Sequence, residues 1–234
     1  AKEVLTTLFL QAGDPIIAGE TPNGTPDVVF GSTPPGAPEN PAASALQFYT
    51  EFVNPSKVTY SWNRSLPEAG DAFAAGDLAT YFDFASHIAV LRNRNPNLHF
   101  GVAVLPQIQS SGTHLTYGTI TGLAIARTTR NPVGALAVAQ ALTAAPGITE
   151  LALHSGLPPV RRDVVLDTSA NAEAATFVQS ALIARAWLDP NPATTADIFQ
   201  TMINSVVSGQ SQPETAVGDA SQALQALVRG QQTQ

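Results

Sequence analysis

Short apolar runs alternate along this chain with segments of helical periodicity, and the alternation limits the folds it can adopt. Apolar runs over 78–82, 99–105 and 120–125 predict buried strands. A helical pattern over 85–92 lies between the first two runs. Strands that alternate with helices favour an α/β fold with parallel or mixed strand pairing.

Several helix boundaries are marked by residues with capping chemistry. Asn40 and Asn131 each precede a proline, so each predicts an N-cap followed by proline at the first helical position. Ser65–Glu68 has the spacing of a capping box before a short helix that ends near Gly76. Gly13 follows four apolar residues at helical spacing and predicts the end of an earlier helix.

The C-terminal part of the chain is predicted to be helical, with helices over 172–186, 195–208 and 214–229. The last two carry apolar stripes that predict one buried face each. These stripes are Ile198, Phe199, Met202, Ile203, Val206 and Val207, and Ala216, Val217, Ala220, Ala223, Leu224, Leu227 and Val228. By contrast, residues 13–41 are rich in glycine and proline and predict a loop with one extended piece at 28–30.

Composition excludes several classes of protein. The 234 residues carry a net charge of −7, and lysine occurs only at Lys2 and Lys57, so nucleic acid is not an expected partner. The chain has no cysteine, which excludes disulfides, thiolate metal sites and cysteine nucleophiles. No apolar run approaches the roughly 18 residues of a membrane span. Residues 1–5 lack the basic lead of a signal peptide and are expected to start inside a structural element.

Motifs for catalysis or for a resident cofactor are missing from the sequence. It contains no nucleophile elbow, P-loop, zinc-protease helix motif or dinucleotide-binding loop. The four histidines, His87, His99, His114 and His154, do not have metal-ligand spacing. We therefore expect no metal, no cofactor and no enzyme activity, although a Ser/His/Asp triad assembled in space stays possible.

Polar and aromatic side chains lie instead at the predicted ends of elements, where open α/β sheets bind ligands. The candidates are Gln11, Asp14, Trp62, Asp83, Ser86 and Asp197. Carboxylates and amides beside an aromatic ring are what a sugar or polyol requires. Asp83 and Asp197 are equally compatible with helix capping, and Trp187 is expected to pack in the interior rather than bind ligand.

The order of motifs resembles the family 1 extracellular solute-binding proteins of ABC importers, the maltose-binding-protein-like group. The matching stretches are 8–13, 45–52, 72–79 continuing to 100–106, 117–125 and 206–217. The resemblance covers the later part of such proteins. It implies a type II periplasmic-binding-protein-like α/β fold with most of the first lobe missing and a helical C-terminal half.

The resemblance also implies a domain organisation. Residues 1–112 would belong to the second lobe, 113–158 to the first lobe, and 159–234 to the second lobe again. The predicted strand 120–125 would then lack its sheet partners. We therefore expect a fragment, or a chain completed by a missing first-lobe segment or by a second copy of itself.

The implied function is capture of a small polar solute, a sugar or polyol, for ABC permease subunits in the membrane. The ligand-binding residues carried over are Gln11, Asp14, Trp62, Asp83, Phe84, Ser86, Tyr117, Thr119 and Asp197. Small or polar residues replace the family's aromatics at Ser86 and at 195–197, which favours a smaller solute than a maltodextrin. The implied location is periplasmic or extracellular, at the membrane surface as a lipoprotein.

Two other functions stay open on the residues alone. A hydrolase could use Asp83, Asp197 or Ser86 in a cleft, and a glycosidase would hold its carboxylates about 5–9.5 Å apart. An interaction scaffold could use the apolar segment 120–153, which would then be exposed.

Overall fold

The computed structural model describes residues 1–21, 24–63, 65–109, 112–169 and 171–231. Packing divides the chain into two compact units. Unit 1 comprises Ala1–Pro67, Gln107–Tyr117 and Arg185–Gln234, and unit 2 comprises Glu68–Pro106 and Gly118–Ala184. The predicted ranges 1–112, 113–158 and 159–234 assign lobes rather than packed units, and that assignment stays a prediction.

The described part of the chain contains short strands and mainly helices. In chain order the elements are α1 (Lys2–Ala12), β1 (Ile17–Glu20), β2 (Pro26–Val28), α2 (Pro41–Glu51), α3 (Ala69–Ala75), α4 (Ile88–Arg94), β3 (Thr116–Tyr117), α5 (Pro132–Thr143), α6 (Ala145–Ser155), α7 (Ala172–Ile183), β4 (Ala184–Arg185), α8 (Pro192–Val207) and α9 (Pro213–Gln231). A single 3₁₀ turn over Ala85–His87 leads directly into α4.

Local capping chemistry places several of these boundaries where the sequence predicts them. The side chain of Asn40 accepts a hydrogen bond from the backbone N–H of Ala43 at 3.0 Å, and α2 begins at the next residue. Asn131 caps α5 in the same way. Gly13 ends α1 in the left-handed conformation, with φ 97°. The predicted capping box is wrong, because α3 starts only after Glu68 and has no side-chain cap in the described structure.

Unit 1 has a dense apolar core formed by α1, α2, α8 and α9. Its centre holds the aromatic rings of Phe9, Phe30 and Phe199, whose centroids lie 4.9–5.7 Å apart. Trp187 packs against this core, as the sequence predicts. The apolar stripes of α8 and α9 supply about half of the remaining buried side chains, which confirms their predicted orientation.

A short antiparallel hairpin of β1 and β2 follows α1, with Ile17 opposite Val28. Gly31 lies just beyond it, at φ +72°, and a Cβ atom built there would be 2.5 Å from the side chain of Val217. Glycine is therefore required both for the backbone conformation and for the close approach of α9.

Unit 2 contains α3, α4, α5, α6 and α7 but buries few apolar side chains. Its buried apolar residues in the described structure are Ala74, Leu91, Ile148, Ala152 and Val164. The strands predicted over 78–82, 99–105 and 120–125 are wrong, since none of these segments forms regular structure. An apolar run becomes a strand only where a neighbouring strand takes its backbone hydrogen bonds, and the described chain supplies none here.

Candidate functional site

The C-terminal turn of α1 borders a shallow cavity of about 370 Å³ in unit 1. Its wall is formed by Leu10, Gln11, Ala12, Gly13, Ile108, Thr113 and Leu115. The Gln11 amide is buried and donates a hydrogen bond to the Leu115 carbonyl at 3.0 Å. The Leu115 N–H in turn donates to the side-chain oxygen of Gln107 at 2.8 Å. Gln11 thus fixes the cavity wall as well as lining it.

Asp14 lies two residues past the end of α1, in the interior of unit 1. Its side chain is almost fully buried, and its two oxygens accept hydrogen bonds from the N–H groups of Ile16 and Gly31, each at 2.8 Å. Burial raises the pKa of the Asp14 carboxyl, and the two backbone hydrogen bonds partly oppose that rise. The arrangement shows Asp14 fastening the loop that follows α1.

Trp62 lies on the loop that follows α2, and its side chain is 44% exposed. The loop is tied to the end of the helix, because the N–H groups of Ser61 and Trp62 both donate to the Phe52 carbonyl, at 3.0 and 3.3 Å. Tyr60 is 41% exposed on the same loop, and its hydroxyl accepts a hydrogen bond from the Asn63 amide at 2.9 Å. Two exposed aromatic rings and an amide are therefore held on one anchored segment.

Tyr117, in β3, lies in a partly buried and electronegative part of unit 1. Burial raises the pKa of its hydroxyl, and the carboxylates of Asp189 and Glu3 raise it further. Asp189 is itself engaged: it accepts from the Lys2 ammonium at 2.9 Å and from the Thr195 hydroxyl at 2.8 Å. This network joins the start of α1 to the start of α8.

Asp197 is exposed in the second turn of α8. It is not the helix cap, because Asn191 fills that position and accepts a hydrogen bond from the Thr194 N–H at 3.2 Å. The capping alternative is therefore wrong for Asp197.

In unit 2, Asp83 is the centre of a polar cluster. Its carboxylate accepts from the Phe84 N–H at 2.8 Å and pairs with the His87 ring at 2.7 Å. Tyr81 also donates its hydroxyl to Asp83. Burial and this hydrogen bond raise the pKa of Tyr81 to about 12.

The other predicted residues of unit 2 lie close to Asp83 in sequence or farther along the chain. Phe84 precedes the 3₁₀ turn and meets the His87 ring edge-on at 6.3 Å. Ser86 is exposed within that turn, and Thr119 is exposed just after β3. Asp83, Phe84 and Ser86 thus share one turn. Gln11, Asp14, Trp62, Tyr117 and Asp197 belong to unit 1.

Two functional-looking residues were not among the predicted site residues. Tyr81 lies within the apolar run 78–82 and gives no local signal beyond its spacing of two residues from Asp83. Asp189 lies beside Pro190 in a segment predicted to pack, and its partners Lys2 and Thr195 are 187 and 6 residues away. The hydrogen bond from Lys2 is what connects Asp189 to α1, and the sequence gives no sign of a partner so far away.

The described residues contain no group of three or more histidine, aspartate and glutamate side chains arranged to hold a metal ion. Asp83 and Asp197, the two carboxylates proposed for a hydrolase, belong to different units. Within the described ranges no single helix is long and apolar enough to cross a membrane, although α5 and α6, bent by 55°, pass that test as a pair on length and composition.

Comparison with known proteins identifies the family. A family model described as bacterial extracellular solute-binding protein matches residues 4–178, about three quarters of the chain. The chain belongs to this family. Solute-binding proteins of this family bind without catalysis, which supports the prediction that the chain is not an enzyme. The family is extracellular, which supports the predicted periplasmic or extracellular location.

The fold of this solute-binding protein has a solved counterpart. A cyclo/maltodextrin-binding protein, crystallised with maltotetraose, matches with a TM-score of 0.74 at 17% sequence identity. The match covers 96% of this chain and 56% of the other, so the chain spans little more than half the length of that protein. The predicted type II periplasmic-binding-protein-like fold is confirmed. A search among curated protein sequences found no match.

Proposed function

We propose that this protein is the solute-binding component of an ABC importer and that its solute is a small sugar or polyol. Membership of the solute-binding family supports the binding role. The observation that carries the solute class is the anchored loop of unit 1, which presents the exposed ring of Trp62 beside Tyr60 and Asn63. Sugars bind to an aromatic face through their C–H groups and to amides and carboxylates through their hydroxyls.

The residues proposed to contact solute fall into two sets. In unit 1 they are Gln11, which lines the cavity, Trp62, Tyr117 and Asp197. In unit 2 they are Asp83, Phe84, Ser86 and Thr119. Asp14 is left out of this proposal because both of its oxygens are already used by backbone N–H groups.

The solved maltodextrin-binding protein was crystallised with maltotetraose, a sugar, which supports this solute class. The small side chain of Ser86 and the exposed carboxylate of Asp197 favour a shorter and more polar solute than a maltodextrin. Binding would shift a conformational equilibrium toward a form that permease subunits recognise, with no covalent chemistry. Delivery to a permease is most efficient from the membrane surface, so we include membrane-surface attachment in the proposal.

Isothermal titration calorimetry against a panel of monosaccharides, disaccharides and polyols tests the solute class. We expect weak binding, weaker than micromolar, by the chain of residues 1–234, and a reduced affinity in Trp62→Ala. Trp62→Phe, which keeps an aromatic ring, serves as the matched control. Binding of amino acids or peptides instead of sugars would contradict the proposed solute class.

A further inference from the structure

Three polar side chains of unit 2 form a chain of hydrogen bonds that ends at the ring of His87. The Tyr81 hydroxyl donates to the Asp83 carboxylate, and the Nδ1 atom of His87 lies 2.7 Å from the same carboxylate. The Phe84 N–H also donates to Asp83, at 2.8 Å. An ionised carboxylate only accepts hydrogen bonds, so the proton shared with His87 belongs to Nδ1. Asp83 therefore fixes the tautomer of this ring.

The second ring nitrogen of His87, Nε2, is available to a ligand. The His87 side chain is 53% exposed, and Nε2 has no hydrogen-bond partner among the described residues. In a neutral ring this atom carries a lone pair and accepts a hydrogen bond. The Phe84 ring meets the imidazole edge-on, with centroids 6.3 Å apart, and Ser86 is exposed in the same turn. One turn thus carries an oriented acceptor, an aromatic ring and a hydroxyl.

His154, in α6, shows how the surroundings of His87 differ from those of another exposed histidine of unit 2. Its Nδ1 lies 2.8 Å from the Glu150 backbone carbonyl, but the Glu150 carboxylate is 3.7 Å away. That carboxylate is 70% exposed, whereas the Asp83 side chain is only 19% exposed. A shielded carboxylate in direct contact with one ring nitrogen strengthens the other nitrogen as an acceptor. Nε2 is therefore the stronger acceptor in His87.

The charges around Tyr81 and Asp83 favour one kind of ligand. The negative charges of Asp83 and Glu68 both raise the pKa of the Tyr81 hydroxyl. Arg94 opposes them but is itself paired with the carboxylate of Asp71. An acceptor next to negative charge favours a hydroxyl, which donates a hydrogen bond, and disfavours a carboxylate, which only accepts.

We propose that the Nε2 atom of His87 accepts a hydrogen bond from a solute hydroxyl and so selects neutral sugars and polyols over sugar acids. Asp83 and Tyr81 are positioning residues for this contact, because they fix the tautomer and the orientation of the ring. The contact depends on the proposed function, since it adds His87 to the residues that bind the same solute.

The tautomer of His87 is measured first, in the chain of residues 1–234 and without solute. Proton–nitrogen correlation NMR at about pH 8, where an ordinary histidine is neutral, shows which ring nitrogen carries the proton. We expect the proton on Nδ1 in the wild type and a mixture of the two tautomers in Asp83→Asn. A wild-type ring with its proton on Nε2 would overturn the proposal.

Calorimetric titration then measures Kd for D-glucose, maltose, trehalose and sorbitol as neutral probes and for D-glucuronate as the anionic probe. His87→Phe keeps a flat ring but removes the acceptor, and it should raise the Kd of the neutral probes about fivefold, the loss expected for one hydrogen bond. His87→Gln, whose amide oxygen can replace Nε2, should recover most of that affinity. Tyr81→Phe should raise Kd less than His87→Phe, and His154→Phe is the matched control.

The outcomes separate this contact from the proposed function. If the neutral probes bind to His87→Phe as tightly as to the wild type, or if His154→Phe loses as much affinity, His87 is not a solute contact, although the protein still binds sugar. Tighter binding of D-glucuronate than of D-glucose by the wild type would also overturn the proposal. Failure of the wild type to bind any neutral probe would overturn the proposed function together with it.

Discussion

The carboxylate of Asp14 accepts a hydrogen bond from the backbone N–H of Gly31 at 2.8 Å and so joins residues 17 positions apart. The other oxygen holds Ile16, the one described non-glycine residue with a positive φ, at 66°. A β-branched residue is strained in that conformation. One buried side chain therefore holds the end of α1, a strained turn and the close approach of Gly31 to α9.

Replacing Asp14 with asparagine is expected to destabilise the protein by about 1–3 kcal/mol, because one of the two backbone N–H groups loses its acceptor. Urea unfolding followed by tryptophan fluorescence measures the loss. Asp27→Asn, at an exposed carboxylate on the neighbouring strand, is the control and should change stability little. Equal effects of the two substitutions would contradict the role assigned to Asp14.

The raised pKa of Asp14 predicts a pH dependence. Because the folded protein holds this proton more tightly than the unfolded chain, ionisation of Asp14 costs stability. The free energy of unfolding of the wild type, measured relative to Asp14→Asn, should therefore fall as pH rises from the ordinary value of 3.8 through the raised folded pKa. If the free energy of unfolding of the wild type relative to Asp14→Asn rises with pH in this window, the two backbone hydrogen bonds stabilise the ionised carboxylate by more than its burial costs.

Removing the Trp62 ring is expected to weaken sugar binding without unfolding the protein. Loss of one aromatic platform costs about 1 kcal/mol, roughly a fivefold rise in Kd. Val58→Ala, at a fully exposed position of the same loop, is the matched control. Fluorescence or calorimetric titration gives the two Kd values, and an unchanged Kd in Trp62→Ala would remove this residue from the site.

Phe199→Ala should destabilise the protein severely, by about 3–5 kcal/mol, because it removes a ring that touches both other rings at the centre of unit 1. Phe48→Ala is the control, since the Phe48 side chain is 52% exposed. Equilibrium unfolding of the two variants provides the comparison. Similar losses in both would show that the aromatic cluster is not the centre of the core.

Spectrophotometric titration should find one tyrosine with a pKa of about 12, Tyr81. In Asp83→Asn the charge that opposes tyrosinate formation is gone, so the pKa of Tyr81 should move down toward its ordinary value of 10.0. Asp197→Asn, at a carboxylate in unit 1, should leave the titration unchanged. An unaltered Tyr81 in Asp83→Asn would mean that burial alone raises its pKa.

Features that depend on neighbours in sequence could be predicted from the sequence. Asn40 and Asn131 cap helices because an N-cap bond closes over three residues, and Gly13 ends α1 because only glycine adopts the left-handed conformation freely. The stripe that includes Phe199 is buried because helical periodicity places its members on one face.

Features that depend on partners far away in the chain could not be predicted from the sequence. The run 120–125 has the composition of a strand, but strand formation requires a second strand that the sequence pattern cannot reveal. At the candidate site, the position of Asp14 next to a helix end is visible in the sequence. Its partner Gly31 is not, and that partner is what makes Asp14 structural.

The core of unit 1 joins α1 and α2, near one end of the chain, to α8 and α9, near the other. About 140 residues separate α2 from α8, so a ribosome working at roughly 5–20 residues per second needs about seven to thirty seconds between them. During that interval the faces of α1 and α2 that pack against α8 and α9 have no permanent partner. The nascent chain therefore stays incompletely folded and open to holding factors until its last helices emerge.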